Sequence, residues 1–85
     1  MAHCPEMRTS EKREAFNVLS PTTLGIALRH FRTQAQLSQT ELAEKAGLHR
    51  SYLSALESGH KTEYLQRVFQ LMKQLGVKMT LEKVD

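Results

Sequence analysis

Side chains suited to metal binding or acid–base catalysis are few and scattered in this 85-residue sequence. His3 and Cys4 are adjacent, but a metal site needs three or four ligands, and none follows at ligand spacing. The other histidines, His30, His49 and His60, fall in three separate segments. The sequence shows no nucleophile accompanied by a base and an oxyanion site, no pair of carboxylates suited to a catalytic cleft, and no glycine-rich loop that would bind a phosphate. We therefore expect no metal, no cofactor and no enzymatic activity.

Hydrogen-bonding side chains of another kind lie close together in the segment RSYLS, residues 50–54. The planar guanidinium of Arg50 can donate two hydrogen bonds to guanine O6 and N7. Tyr52 has two open interpretations, packing against the preceding helix or donating its hydroxyl to a phosphate. Lys61, and less readily His60, could contact a backbone phosphate, and simple solvation is the alternative for both. These residue types favour a nucleic acid as partner.

Four helices are predicted to position these side chains. Ser20 is an N-cap followed by proline at the first helical position, and Ser38 with Glu41 forms a capping box. Gly47 can adopt the left-handed conformation that ends a helix. The predicted helices begin at Ser20-Pro21 and end near Gln36, then run over about 39–46, over roughly 50–58, and from the cap Thr62 to the terminator Gly76.

The break at Gly47 divides one apolar pattern between two short helices. Two such helices joined by a three- to four-residue turn with glycine form the helix-turn-helix, whose second helix enters the DNA major groove. The positions that fit this motif are Leu42, Ala43, Ala46, Gly47, Leu48, Leu53 and Leu56. We therefore predict a DNA-binding domain at residues 20–76.

The two ends of the chain are predicted to behave differently from this domain. Residues 1–19 carry mixed charge and few apolar side chains, so we expect a mobile arm that adds no core, with room for a helical turn near 10–17. After Gly76, the side chains of Val77, Met79 and Leu81 alternate with polar ones, as in a half-buried strand. A lone strand leaves its backbone unpaired, so we expect residues 77–85 to pair antiparallel with a second copy across a two-fold axis.

Charge and cysteine content restrict the partner and the compartment. The chain has 12 Lys and Arg against 9 Asp and Glu, a net charge of +3 and a pI near 9.3, which suits a polyanionic partner. A single cysteine cannot form an internal disulfide, and neither a signal peptide nor a membrane-spanning run is recognisable. We expect a cytoplasmic protein without a membrane partner.

The stretch SQTELAEKAGLHRSYLSALESG, residues 38–59, resembles the phage-repressor (Xre) helix-turn-helix family, whose members are dimeric repressors. The resemblance implies that Gln39 binds a phosphate, where a helix N-terminus also favours an anion. It implies an ion pair between Arg32 and Glu57 that joins helices 1 and 3. The residues it places toward the groove are His49, Arg50, Ser51, Ser54 and Ala55.

A narrower resemblance covers about residues 18–85. LSPTTLGIALRHFRTQAQLSQTELAEKAGL, with ALESG, FQLMKQLG and VKMTL, is similar to the HipB-type antitoxins. These are small repressors encoded with a HipA-type serine/threonine kinase toxin, and their C-terminal strand pairs between protomers. Gly59-His60-Lys61 replaces a loop richer in Asn and Pro, and His49-Arg50-Ser51 differs from the usual recognition residues, so the operator sequence does not transfer.

The resulting prediction is a mainly α, four- to five-helix phage-repressor-like domain with one C-terminal strand that pairs across a homodimer. Its function would be to bind a palindromic operator, autoregulate a toxin–antitoxin operon and bind a HipA-like kinase. Three alternatives remain open: a stand-alone phage-type repressor, a kinase-binding adaptor, and a repressor that does not itself neutralise the toxin.

Overall fold

The computed structural model describes residues 14–84, which form four helices framed by two short strands. The elements, in chain order, are β1 (Ala15–Val18), α1 (Pro21–Gln34), α2 (Gln39–Ala46), α3 (Arg50–Glu57), α4 (Glu63–Leu75) and β2 (Met79–Glu82). The predicted mainly α fold, with four helices and a strand after the last of them, is confirmed.

Local hydrogen bonds set the helix boundaries. The Ser20 hydroxyl accepts a hydrogen bond from the backbone N–H of Thr23. The Thr23 hydroxyl oxygen in turn accepts one from the backbone N–H of Ser20 at 3.2 Å. Ser38 and Glu41 exchange the same pair of bonds at 3.0 and 2.8 Å. Gly47 ends α2 with a φ of 72°, in the left-handed region. Capping groups visible in the sequence therefore fix where α1 and α2 begin and where the chain turns toward α3.

Helices α1 and α3 cross at close range. A Cβ atom placed on Gly25 of α1 would lie 2.5 Å from the carbonyl oxygen of Leu56 and 2.7 Å from that of Glu57. The small side chains of Ala27 and Ala43 are also buried, as is Leu53 of α3. Because the backbones of α1 and α3 are in contact here, α3 has little freedom to shift against α1.

The two strands pair antiparallel within one chain, with Ala15 opposite Glu82 and Val18 opposite Met79. Val18 is fully buried and packs with Ala27 and Phe69 in the core. The prediction of a coreless arm over 1–19 is therefore wrong for β1, as is the helical turn where it overlaps Ala15–Val18. Four residues are too few to show a period, and β1 is stabilised by a partner distant in sequence. Residues 1–13 lie outside the described part of the chain.

The argument that β2 is a lone strand is also wrong, since β1 of the same chain pairs with it. The side chains of Met79 and Leu81 pack against the core of their own chain. Each strand still has one edge without a neighbouring strand among residues 14–84. Pairing with a second copy at such an edge stays a prediction, and it no longer follows from an unpaired strand.

Side-chain contacts also attach the start of β1 to α1. The Glu14 carboxylate lies 2.6 Å from His30 Nε2 and accepts a bond from Gln34 Nε2 at 2.8 Å. The Phe16 ring packs near the rings of His30 and Phe31, with centroids 4.9 and 5.4 Å away. The contact with His30 holds the pKa of Glu14 below its usual value. Residues 14–18 are thus part of the folded domain.

Helix α4 leaves much of its apolar surface uncovered. Only Phe69 is buried in this helix, whereas Tyr64, Leu71 and Leu75 are 76, 63 and 73% exposed.

No helix within residues 14–84 is both long enough and apolar enough to cross a membrane.

Candidate nucleic-acid interface

Helix α3 carries most of the predicted DNA-contacting residues and presents them outward. His49, Arg50, Ser51 and Tyr52 are exposed. Ser54 and Ala55 are half-buried on the following turn, while Leu53 and Glu57 face the scaffold. With 100° between successive residues, Ser51, Ser54 and Ala55 share the face opposite Leu53. Tyr52 is 58% exposed, so packing against α2 covers less than half of it.

An ion pair joins α3 to α1. Arg32 donates from Nε to Glu57 Oε2 at 2.6 Å and from Nη2 to Oε1 at 3.0 Å, and its Nη1 donates to the carbonyl of Leu37 at 2.7 Å. The side chains of Arg32 and Glu57 are only 11 and 4% exposed. The two-pronged contact lowers the pKa of Glu57 and raises that of Arg32. This geometry fixes the end of α3 against α1.

Gln39 takes part in the same network, which the sequence did not reveal. Its Nε2 donates to Glu57 Oε1 at 3.0 Å, and the side chain is half-buried at the start of α2. Glu57 of α3 therefore ties α1 and α2 to its own helix. Gln39 keeps a second amide N–H, which is the donor that its predicted contact with a phosphate requires.

A solvent-open cleft of about 250 Å³ lies between these helices. It brings together Gln39 and Ser54, two predicted DNA contacts from different helices. The residues lining it are Arg29, Arg32, Gln39, Ser54, Glu57 and Ser58. Arg29 was not among the predicted site residues. Its position one helical turn before Arg32, on the same side of α1, is the sequence signal that could have found it.

The remaining predicted residues lie elsewhere. Lys61 is exposed beyond α3 and lines a separate open cavity of about 680 Å³. Val77 is 50% exposed and lines the same cavity with Leu19, Phe69 and Met72. Of the three predicted dimerisation residues, Val77 alone is not packed in the core of its own chain.

Within residues 14–84, no three His, Cys, Asp or Glu side chains are grouped so that they could hold an ion. His3 and Cys4 lie outside that range.

Comparison with known proteins agrees with this geometry. The model of the helix-turn-helix family HTH_3 matches residues 28–81. Antitoxin HipB of Escherichia coli (strain K12) is 33% identical over 64 residues, which cover 75% of this chain and 73% of that protein. No solved structure matches the chain. The chain belongs to the Xre-like helix-turn-helix family and, within it, to the HipB-type antitoxins.

Proposed function

We propose that this protein is a homodimeric repressor that binds a palindromic operator, autoregulates its own toxin–antitoxin operon and binds a HipA-like serine/threonine kinase in the cytoplasm. The observation that carries the proposal is the network around Glu57, which fixes α3 to α1 and α2 while the outer face of α3 stays exposed. A rigidly held, outward-facing helix suits insertion into the major groove.

The proposed DNA-contacting residues divide into base contacts and phosphate contacts. Arg50, at the first turn of α3, is the proposed reader of a guanine, and loss of such a contact costs about 1–3 kcal/mol. Gln39 and Lys61 are the proposed phosphate contacts, Tyr52 contributes its hydroxyl, and the groove-facing side chains are His49, Arg50, Ser51, Ser54 and Ala55.

The test is a binding titration of Arg50→Ala against operator and scrambled duplexes. We expect weaker operator binding and relaxed preference at one base position. The matched control is Arg67→Ala, which removes an exposed arginine from α4 that is paired with Glu63. Unchanged affinity and preference in Arg50→Ala would refute its assignment. Absence of any DNA binding at low salt would instead favour the adaptor function.

Dimerisation is supported by α4 rather than by a lone strand. Tyr64, Val68, Leu71 and Leu75 recur at spacings of four and three, which forms a continuous apolar stripe beside the core-facing stripe. Two α4 helices packed antiparallel would cover both stripes and set the acidic first turn, Glu63, near the basic last turn, Lys73, of the other copy. Val77, Met79 and Leu81 would extend this interface through the edge of β2, and the two α3 helices would lie about 34 Å apart.

The dimer can be tested with one charge placed in the stripe. Leu71→Lys should give a monomeric mass in light scattering and weak operator binding, because a buried unpaired lysine opposes the interface. Gln70→Lys, on the neighbouring exposed position, should leave the dimer intact. A dimer mass for Leu71→Lys would remove α4 from the interface.

Kinase binding and neutralisation require separate experiments. The similarity to antitoxin HipB supports the kinase as partner. Mass spectrometry of what the tagged protein retains in moderate salt should identify a serine/threonine kinase, and recovery of the protein alone would favour the stand-alone repressor. Co-expression then tests neutralisation: if the kinase remains lethal beside this protein, the chain represses without acting as the antitoxin.

A further inference from the structure

We propose that Arg29 binds a backbone phosphate of the operator, in the cleft between α1, α2 and α3 and beside Ser54. The inference rests on the proposed DNA-binding function and adds a residue to it. Neither the motif nor the resemblance assigns any role to this position.

Arg29 and Arg32 lie one turn apart on α1 and differ in their hydrogen bonding. All three guanidinium nitrogens of Arg32 donate hydrogen bonds, to Glu57 and to the carbonyl of Leu37. Arg29 lines the same cleft and is exposed, and its guanidinium forms no hydrogen bond or ion pair within residues 14–84. Arg32 therefore has a structural function, whereas Arg29 is a cation of the cleft whose donors are still available.

The nearby carboxylate does not require Arg29. Glu57 already accepts three hydrogen bonds, two from Arg32 and one from Gln39. The Arg29 charge is the weakest of the contributions that lower the pKa of Glu57. With Arg32 and Glu57 compensating each other, the charged side chains lining the cleft leave the single positive charge of Arg29. The cleft therefore favours an anion from outside the chain.

The other cleft residues fit a phosphate. The Ser54 hydroxyl lies in the same lining and has no hydrogen-bond partner within residues 14–84. Gln39 borders the cleft from the start of α2, and both residues belong to the predicted DNA-contacting set. A guanidinium and a hydroxyl at one opening form a donor set typical of contacts to DNA phosphates, since arginine can bind a phosphate with two parallel bonds.

The test measures operator affinity as a function of salt for wild type, Arg29→Ala and Arg29→Lys. Each lost phosphate contact should reduce the slope of log K against log [salt] by about 0.9, or about 1.8 for both protomers of a dimer. In Arg29→Ala, affinity for operator and for scrambled duplex should fall by a similar factor, because a phosphate contact carries no base information. Arg29→Lys should retain the slope.

Arg67→Ala is the matched control, since it removes the same charge from α4, and its slope should equal that of wild type. A wild-type slope in Arg29→Ala would overturn the proposal. So would a lowered thermal midpoint together with an unchanged slope, which would identify Arg29 as a structural residue. Failure of wild type itself to bind DNA would refute the proposed function, a different result from wild-type binding that does not depend on Arg29.

Discussion

The three helices α1–α3 and the region formed by α4 with the sheet are stabilised in different ways. In the first, a polar network around Glu57 and the close approach at Gly25 fix the helices to one another. In the second, a small apolar core of Val18 and Phe69 with Ala27 of α1 holds the strands and α4 against α1, and large apolar side chains remain exposed on α4. The first region presents the candidate DNA-contacting residues in one copy, and the second has on α4 an apolar surface for a partner to cover.

The largest expected effect comes from breaking the polar network. Arg32→Met should lower the free energy of unfolding by about 3 kcal/mol, because it leaves the buried Glu57 carboxylate without its cation. Urea denaturation measures the loss, and operator affinity should fall with it. Arg67→Met, at the exposed pair with Glu63, should change stability by less than about 0.5 kcal/mol. Equal effects of the two substitutions would contradict the contrast between the regions.

The apolar core of the second region should be somewhat less sensitive. Val18→Ala removes two buried methyl groups from a fully buried side chain, so we expect a loss of about 2 kcal/mol in urea denaturation. Asn17→Ala, at an exposed position of the same strand, should change stability by less than about 0.5 kcal/mol. A neutral Val18→Ala would mean that β1 adds little to the fold.

Two glycines allow the same backbone defect to be placed in each region. Gly47 and Gly76 end α2 and α4 with φ values of 72° and 69°, and open space surrounds the position of a Cβ atom at both. Alanine should therefore cost each about 1 kcal/mol of unfolding free energy through left-handed strain alone. Operator affinity should fall more for Gly47→Ala, which misdirects α3, than for Gly76→Ala, which acts only through the proposed dimer. A matching loss of affinity in Gly76→Ala would show that the regions are coupled.

The smallest effect is the pH dependence of the ion pair. The Arg32 guanidinium lowers the folded-state pKa of Glu57 below its ordinary value of 4.5, so the unfolded chain binds the proton more readily. The stabilisation is present above the unfolded pKa and is lost as pH falls through the folded one. Stability measured from pH 6 downward should decline less in Arg32→Met than in wild type. Parallel curves would show that the pair does not perturb Glu57.

Local signals made the helices predictable, while nonlocal contacts were missed. The helix starts are marked by the N-caps Ser20, Ser38 and Thr62, and two helix ends by Gly47 and Gly76. These signals can be read from the sequence because caps act over three or four residues. The strand AFNV at 15–18 has no such signal, since its partner lies at the other end of the domain. The wrong inference of a lone β2 followed directly from missing β1.

The candidate site shows the same division. The exposed start of α3 followed from the motif, and the contact of Arg32 with Glu57 from the family resemblance. The hydrogen bond from Gln39 to Glu57 and the position of Arg29 at the cleft depend on how α1 and α2 pack. Spacing along one helix cannot show which of two neighbouring arginines is bonded within the fold.

The pairing of β1 with β2 has a consequence for synthesis in the cell. The ribosome makes β1 before α1–α4 and β2 after them, so Val18 and Phe16 lack their partners Met79 and Leu81 until residues 79–82 have emerged. Translation that stops before Met79 would release a chain with α1–α4 but an uncovered core edge, a form open to proteases. The sheet thus makes the stability of the domain depend on translation through β2.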